Sequence, residues 1–470
     1  MPQPVRSFDL IVIGGGPAGT SGALRAAALG KRVLLIEEAE HLGGAGINTG
    51  TIPSKTLRET ALVLAGSRAR RVFGVDLSVS RETTLDDLSW RSERVGRAER
   101  DGMRARLERE GVAIMRGSAT FMDPHTVRLA SQEEALLTGE KLLVATGSSP
   151  DRPPEFDFAD DRIHDSDEIL AIERLPEKLV IVGAGVIGCE YACTFAALGV
   201  EVHVVDGRRA LLPFLDEDIA DTLTTSMVES GVRFHWNARV LACDSSQAEM
   251  VVLSLSSGEL ISADGVLVCA GRQSNTADLG LAAAGMVQGK RGLIPVNENY
   301  QSSVLHIYAA GDVIGAPALA ATGIEQGRAA MDHAFGSASR RAPAEVMPTG
   351  IYTIPEASMI GETEATLRQQ GVDVVVGRAF YADLPRGNIA GDRTGFLKLV
   401  ARRDNQQLLA VHIVGEQATE LVHLGLVAML SKASIAVFDR ACFNYPTLGD
   451  LYKHAAYDVL AQCGGSGADR

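Results

Sequence analysis

Six glycines and two acids carry the first legible chemistry in this chain. Gly14, Gly16 and Gly19 stand in GGGPAG together with Pro17 and Ala18, and Glu37 follows Gly14 by 23 residues. Gly183, Gly185 and Gly188 stand in GAGVIG together with Val186 and Ile187, and Asp206 follows Gly183 by the same 23 residues. The first glycine of such a set permits a tight turn, the second lets backbone approach a pyrophosphate, and the third lets a helix pack closely on a strand. The helix start then offers N–H groups and its dipole to phosphate, and the acid accepts from a ribose hydroxyl. One fingerprint is a weak signal; two at matched spacing predict that the chain binds two dinucleotides.

A third segment, GGAGINTGTIPSK between residues 43 and 55, ends on Lys55 at the start of a helical pattern. A lysine there calls for a partner, because lysine is rarely placed among apolar residues without one.

The elements that must position these groups are two βαβ units. Residues 8–37 read as an apolar run, a Gly-rich turn, an Ala-rich helix pattern and a second apolar run ending in Glu37; residues 179–206 repeat this order and end in Asp206. Three further strand-like runs open on glycine, LLVATGS at 142–148, VLVCAGR at 266–272 and IYAAGDV at 307–313. In open α/β sheets nucleotides lie at such strand ends. The Pro-rich stretch SSPDRPPEFDF at 148–158 reads as a linker.

With 470 residues the chain exceeds one hydrophobic core, which predicts two to four domains. A net charge of -14 argues against a nucleic-acid surface, which needs clustered Lys and Arg. The basic run at 68–71 reads as a solvated helix face. No apolar window reaches membrane-spanning length and no secretory leader is visible, so we expect neither a membrane partner nor export, but a cytoplasmic protein. Six cysteines are scattered without a CxxC, and no metal site is expected; Cys189 and Cys193, four apart on a helix pattern, read as buried packing.

The segments GGGPAG, GTIPSK, ATGS, GAGVIGCEY, AAGDVIG, PTGIYTIPE and FNYPT resemble the flavoprotein disulfide reductase family over nearly the whole length, and within it the soluble pyridine nucleotide transhydrogenase branch. The resemblance implies an α/β fold with two Rossmann-like dinucleotide-binding domains, for FAD and for NAD(H) or NADP(H), and a C-terminal α+β dimerisation domain that builds a homodimer. It implies an FAD domain at 1–150 and 274–345 split around an NAD(P) domain at 151–273, with the dimerisation domain at 346–470. It also implies roles. Besides the first fingerprint, Gly44, Gly50, Thr51, Lys55, Ala119, Ala145, Thr146, Gly147, Gly311, Asp312, Leu319 and Ala320 would contact FAD, with Asp312 on the ribityl chain. Besides the second fingerprint, Glu190, Arg208, Gly271 and Arg272 would serve the nicotinamide dinucleotide. Lys55 carries over as the ammonium near flavin N5, with Glu190 as its ion-pair partner.

Two departures stand out. The family frame carries cysteine where this chain has Gly46 and Thr51, and disulfide exchange needs a sulfur nucleophile. The transhydrogenase branch keeps the first cysteine, so Gly46 departs even from it. The family's His-Pro-Thr motif, with Glu five residues after the His, becomes Tyr445, Pro446, Thr447 and Asp450. Tyrosine, with a free pKa near 10, does not replace histidine as a base at neutral pH, so we read Tyr445 as interface packing. The expected activity is transhydrogenation between NADPH and NAD+ by a ping-pong route without a redox disulfide. Two other readings remain: an NAD(P)H oxidase or diaphorase passing electrons to oxygen, a quinone or another small acceptor beside Gly46, and a non-catalytic redox-sensing flavoprotein. Whether Arg208 and Arg209 beside Asp206 admit a 2′-phosphate or are surface charge is open at this point.

Overall fold

The first fingerprint sits on a seven-stranded sheet. A computed structural model describes residues 6–69, 85–131, 134–337 and 346–464; the basic run at 68–71 lies outside the described side chains, and the expected boundary at 345/346 touches an undescribed stretch. Strand Arg6–Ile13 lies between Val33–Glu37 and Ala135–Val144, parallel to both, and Ala113–Arg116 extends the parallel set beyond Val33–Glu37. On the other side Thr126–Ala130 and Ser118–Phe121 continue antiparallel, while Ile307–Ala309 pairs parallel with residues 142–144. Parallel strands covered on both faces read as continuous apolar runs. Accordingly Leu10, Ile11 and Val12 are fully buried, and one apolar cluster fills each face of the sheet.

The second fingerprint sits on a five-stranded parallel sheet in the order Arg233–Trp236, Glu201–Asp206, Lys178–Val182, Gly265–Val268, Ile163–Asp165. A three-stranded meander, Val240–Asp244, Val251–Leu255 and Leu260–Ala263, packs beside it. The Pro-rich stretch does more than link. Its first three residues, Ser148–Pro150, form a strand antiparallel to Arg272–Ser274, so the outgoing and returning crossings pair with each other. Cys189 and Cys193 are unpaired and buried as expected, and burial pushes the Cys193 thiol up to about 12.

The C-terminal sheet is antiparallel, in the order Thr349–Ile351, Ala357–Ile360, Leu408–Val414, Phe396–Arg402, Val374–Phe380, with helices Ala418–Leu430 and Asp450–Gly464 against it. Helix Ala418–Leu430 exposes Leu424, Val427 and Leu430. Three apolar residues at this spacing form a stripe suited to a protein partner. Among the described residues, no helix is long and apolar enough to cross a membrane.

Candidate active site

The two fingerprints share one steric logic. A Cβ at Gly14 would lie 2.3 Å from the Ala145 carbonyl oxygen, and one at Gly183 would lie 2.5 Å from that of Cys269. A Cβ at Gly19 would lie 1.9 Å from the Gly14 carbonyl oxygen, and one at Gly188 would lie 2.0 Å from that of Gly183. These four positions therefore hold strand, turn and helix together. The middle glycines differ. A Cβ at Gly16 would meet only Gly44 Cα, at 3.9 Å, and one at Gly185 would meet nothing within 4 Å. Protein packing does not require glycine there; room for a ligand does. Helices Pro17–Ala28 and Val186–Ala197 start directly after these openings, so their N–H groups face them.

The acids are placed alike. Glu37 Oε2 accepts from the Gly15 N–H at 2.7 Å, and Asp206 Oδ2 accepts from the Ala184 N–H at 2.6 Å. The Glu37 Oε1 accepts from Ala39. Asp206 is held further by its own neighbour: Arg208 donates through Nε at 2.9 Å to one carboxylate oxygen and through Nη2 at 2.6 Å to the other. Burial alone would raise the Asp206 pKa, but these bonds outweigh it and hold the carboxyl below the usual range.

Several groups converge on the first opening. Thr146 Oγ1 is buried, and among the described residues it has no hydrogen-bond partner. A buried hydroxyl without a partner costs about 1–3 kcal/mol, which a bound polar ligand would relieve. Gly147 follows with a left-handed φ of 70° and open space at its Cβ position. Asp312 Oδ2 accepts from Ser148 Oγ at 2.8 Å, and Ser148 Oγ in turn accepts from Arg272 Nε at 2.8 Å. The Gly311 N–H is tied to Gln326 on helix Ala320–Ala334, whose N-cap is Leu319. Ala119 lies in strand Ser118–Phe121, beside Ser118, which donates to Glu38. Gly44 and Gly16 face each other, and Gly50 closes the loop through an N–H to the Ala45 carbonyl. The donor set, the orphaned hydroxyl and the open middle glycine fit FAD.

The expected ion pair is formed across 135 residues. Lys55 Nζ lies 2.6 Å from Glu190 Oε2, and the other Glu190 oxygen accepts from the Tyr352 N–H at 2.8 Å. Lys55 Nζ also lies 5.1 Å from the centroid of the Tyr352 ring. Tyr352 lies inside the motif PTGIYTIPE, where the sequence alone assigns it no role. Its place explains the motif: Thr353 accepts from Arg58, and Glu356 pairs with Arg58 at 3.2 Å, so this segment locks onto the Lys55 helix.

The missing side chain at Gly46 would point at Pro17. A Cβ there would lie 2.9 Å from Pro17 Cγ, because the short helix Gly44–Ile47 packs against the first turn of helix Pro17–Ala28. Thr51 is exposed at the start of helix Thr51–Ala69. Tyr445 is 76% exposed, and among the described residues neither its hydroxyl nor the Asp450 carboxylate has a hydrogen-bond partner. One chain does not bring these two residues to Lys55.

Residues 8–327 match the family model "Pyridine nucleotide-disulphide oxidoreductase", and residues 347–456 match its dimerisation domain. The chain belongs to the pyridine nucleotide-disulphide oxidoreductase family. It is 44% identical over 459 residues to a soluble pyridine nucleotide transhydrogenase of Mycobacterium bovis (strain BCG / Pasteur 1173P2), covering 97% of this chain and 98% of that one. A protein of the same name from Marinomonas sp. (strain MWYL1) is 39% identical, covering 96% and 98%. Among solved structures, LpdA from Mycobacterium tuberculosis is similar, with a TM-score of 0.89 and 27% identity over 96% of this chain and 99% of that one. The Cu(II) complex of the HOCl-induced flavoprotein disulfide reductase RclA from Escherichia coli gives 0.87 and 26%, over 96% and 99%. The family membership makes this an oxidoreductase using FAD and a nicotinamide dinucleotide, and its dimerisation domain makes it a homodimer.

Proposed function

We propose that this enzyme is a transhydrogenase exchanging hydride between NADPH and NAD+ at a single site, by a ping-pong route that uses no disulfide. One observation carries the reading: both dinucleotide cradles and the Lys55–Glu190 pair are intact, whereas Gly46 and Thr51 carry no sulfur. FAD, when bound, supplies a two-electron carrier between two nicotinamide rings. Gly14, Gly16, Gly19, Glu37, Thr146, Gly147 and Asp312 would hold FAD, and Gly183, Gly185, Gly188 and Asp206 would hold each dinucleotide in turn. Lys55 keeps a positive charge at the centre of the site, where it favours developing negative charge. Glu190, buried and fixed by the Tyr352 N–H, holds that ammonium in one place. The Pro17 ring lies where a side chain at Gly46 would start, which argues against a pocket built at that position for a quinone or another acceptor.

The crossings near residues 150 and 273 would bound the NAD(P) domain, and the paired strands Ser148–Pro150 and Arg272–Ser274 support that division. A cytoplasmic setting belongs to the same proposal; it is supported by relatives named soluble and by the unpaired buried cysteines.

Anaerobic titration tests the disulfide-free route. Because two thiols would store a second electron pair, NADH should fully bleach the flavin after one two-electron equivalent, with no long-wavelength thiolate charge-transfer band. A second equivalent, or turnover of glutathione disulfide or lipoamide, would contradict the proposal.

Tyr445 would pack across the twofold interface. On that reading Tyr445→Phe keeps turnover within about threefold, since it removes one hydroxyl and leaves the ring, whereas Tyr445→Ala weakens the dimer as a truncated interface aromatic does, by about 1–3 kcal/mol. Sedimentation and turnover measured together check this. A hundredfold loss in Tyr445→Phe with dimer and FAD retained would make the hydroxyl a proton donor instead.

A further inference from the structure

Three arginines, Arg208, Arg209 and Arg239, belong to the segments around the acid at the end of the second fingerprint, and they are not equivalent. Arg208 is committed, since its guanidinium bonds to both oxygens of Asp206. The other two are Arg209, next in sequence, and Arg239, which enters from the link between strands Arg233–Trp236 and Val240–Asp244. Both are exposed, and among the described residues neither has a hydrogen-bond or ion-pair partner for its guanidinium.

Arg239 is placed by the backbone on both sides. Strand Arg233–Trp236 is the neighbour of Glu201–Asp206 in the sheet, so the segments leaving both strands run side by side. Asn237 adopts a left-handed φ of 54°, which asparagine tolerates better than most residues. The turn lets Asn237 N–H donate to the Arg208 carbonyl and Ala238 N–H to the Asp206 carbonyl, at 3.1 Å each. The Arg239 N–H then donates to Ser256 Oγ at 3.0 Å, and its carbonyl accepts from the Ser256 N–H at 2.8 Å. The side chain lies across Gly207: a Cβ there would be 3.2 Å from Arg239 Nε and 3.5 Å from Arg239 Cγ. Gly207 thus gives Arg239 its path to the edge of the acid.

We propose that Arg239, with Arg209, binds the 2′-phosphate of NADP(H), and that Arg208 acts by neutralising Asp206 so that a phosphate is not repelled. The inference rests on the reading of the second fingerprint as the nicotinamide dinucleotide site. A lone carboxylate at this strand end accepts from a 2′-hydroxyl and disfavours a 2′-phosphate. Covered by Arg208 on both its oxygens, the acid has its charge compensated, and the uncommitted Arg239 guanidinium over Gly207 lies beside it to meet the extra phosphate. Guanidinium suits that role because its fork of N–H groups matches phosphate oxygens.

The test measures dissociation constants of NADP+ and NAD+ on the oxidised, FAD-loaded dimer, with adenosine 2′,5′-bisphosphate and 5′-AMP as competitors. One charged phosphate contact corresponds to roughly ten- to hundredfold in affinity. In Arg239→Ala the NADP+/NAD+ affinity ratio should fall by about that factor, the bisphosphate should weaken in parallel and 5′-AMP should not, and Arg239→Lys should recover part of the loss. Raising salt should erode NADP+ binding to the parent more than to the variant, because a charge contact is screened. An unchanged ratio in Arg239→Ala, or equal losses for both dinucleotides, overturns the proposal. Those results would still leave the dinucleotide site standing if the parent binds NAD+. If the parent binds neither dinucleotide, the reading of the second fingerprint fails, and this inference with it.

Discussion

Gly16→Val should yield a folded dimer that has lost its FAD. The expectation follows from a contrast within one motif. A valine at Gly19 would drive its Cβ to 1.9 Å from the Gly14 carbonyl, so that variant should fail to fold. At Gly16 the nearest protein atom to a Cβ is Gly44 Cα at 3.9 Å, an ordinary contact, so the chain can accept the side chain. What it cannot accept is the side chain and a pyrophosphate together, because the middle glycine is where backbone and phosphate come closest. Purified Gly16→Val should therefore keep its circular dichroism and dimeric sedimentation while losing its yellow colour. Full flavin content in this variant would place FAD elsewhere.

Lys398→Met should destabilise the joint between the unit that carries the second fingerprint and the dimerisation sheet. Lys398 is only 3% exposed, in strand Phe396–Arg402, and its ammonium lies 2.7 Å from Asp216, 2.9 Å from Asp218 and 2.9 Å from Glu364. Asp216 and Asp218 belong to the start of helix Glu217–Glu229 and Glu364 to helix Glu364–Gln369, so one cation ties three segments together. Removing it strands the equally buried Asp216 carboxylate, and breaking a buried pair costs about 3–5 kcal/mol. Denaturant unfolding of the FAD-loaded dimer would measure that loss. The double variant Lys398→Met with Asp216→Asn should recover part of it, because the buried charge goes with its partner.

The same joint sets an acid limit. Burial would raise the pKa of Asp218 and Glu364, but hydrogen bonds from Lys398, Arg378 and Arg368 outweigh it and hold both low. Their contribution is present above the unfolded carboxylate range and is lost as pH falls through the depressed folded values. Lys398 is held above the ordinary lysine range, so its own contribution is lost only in strong alkali. His412, buried beside them, has its pKa pushed down to about 4, first by burial. The unfolded chain then binds more protons than the folded one from about 6.5 down to about 4, so stability falls over that window, by on the order of 3 kcal/mol. His412→Asn should flatten that part of the pH–stability curve while leaving the steeper loss below it.

The fingerprints were legible because their pattern is local: Gly19 is dictated by a contact with Gly14 within one strand-turn-helix unit, although the contact that dictates Gly14 comes from Ala145 on a distant strand end. The Lys55–Glu190 pair was legible only through family likeness, since nothing in the spacing of residues 135 apart announces a 2.6 Å contact. Tyr352 lay inside a recognised motif yet gained meaning only when its N–H was seen to hold Glu190. Arg208 and Arg209 look interchangeable in sequence; the turn geometry commits one to Asp206 and, among the described residues, leaves the other unpaired. Lys398 and Arg239 were invisible for a simpler reason. Lys398 is a lone cation in an unremarkable strand and Arg239 one in a link between strands, and their partners or position come from segments distant in sequence.

On the proposed ping-pong route, one site accepts hydride from one nicotinamide dinucleotide and returns it to another. Enzyme reduced anaerobically with one equivalent of NADPH, freed of NADP+ and mixed in a stopped-flow cell with NAD+, tests it directly. Flavin absorbance should return with a rate saturable in NAD+, NADH should appear in equal amount, and air should reoxidise the same reduced enzyme far more slowly. Flavin that stays reduced under NAD+ but is promptly reoxidised by oxygen with stoichiometric peroxide would contradict transhydrogenation and make the enzyme an oxidase.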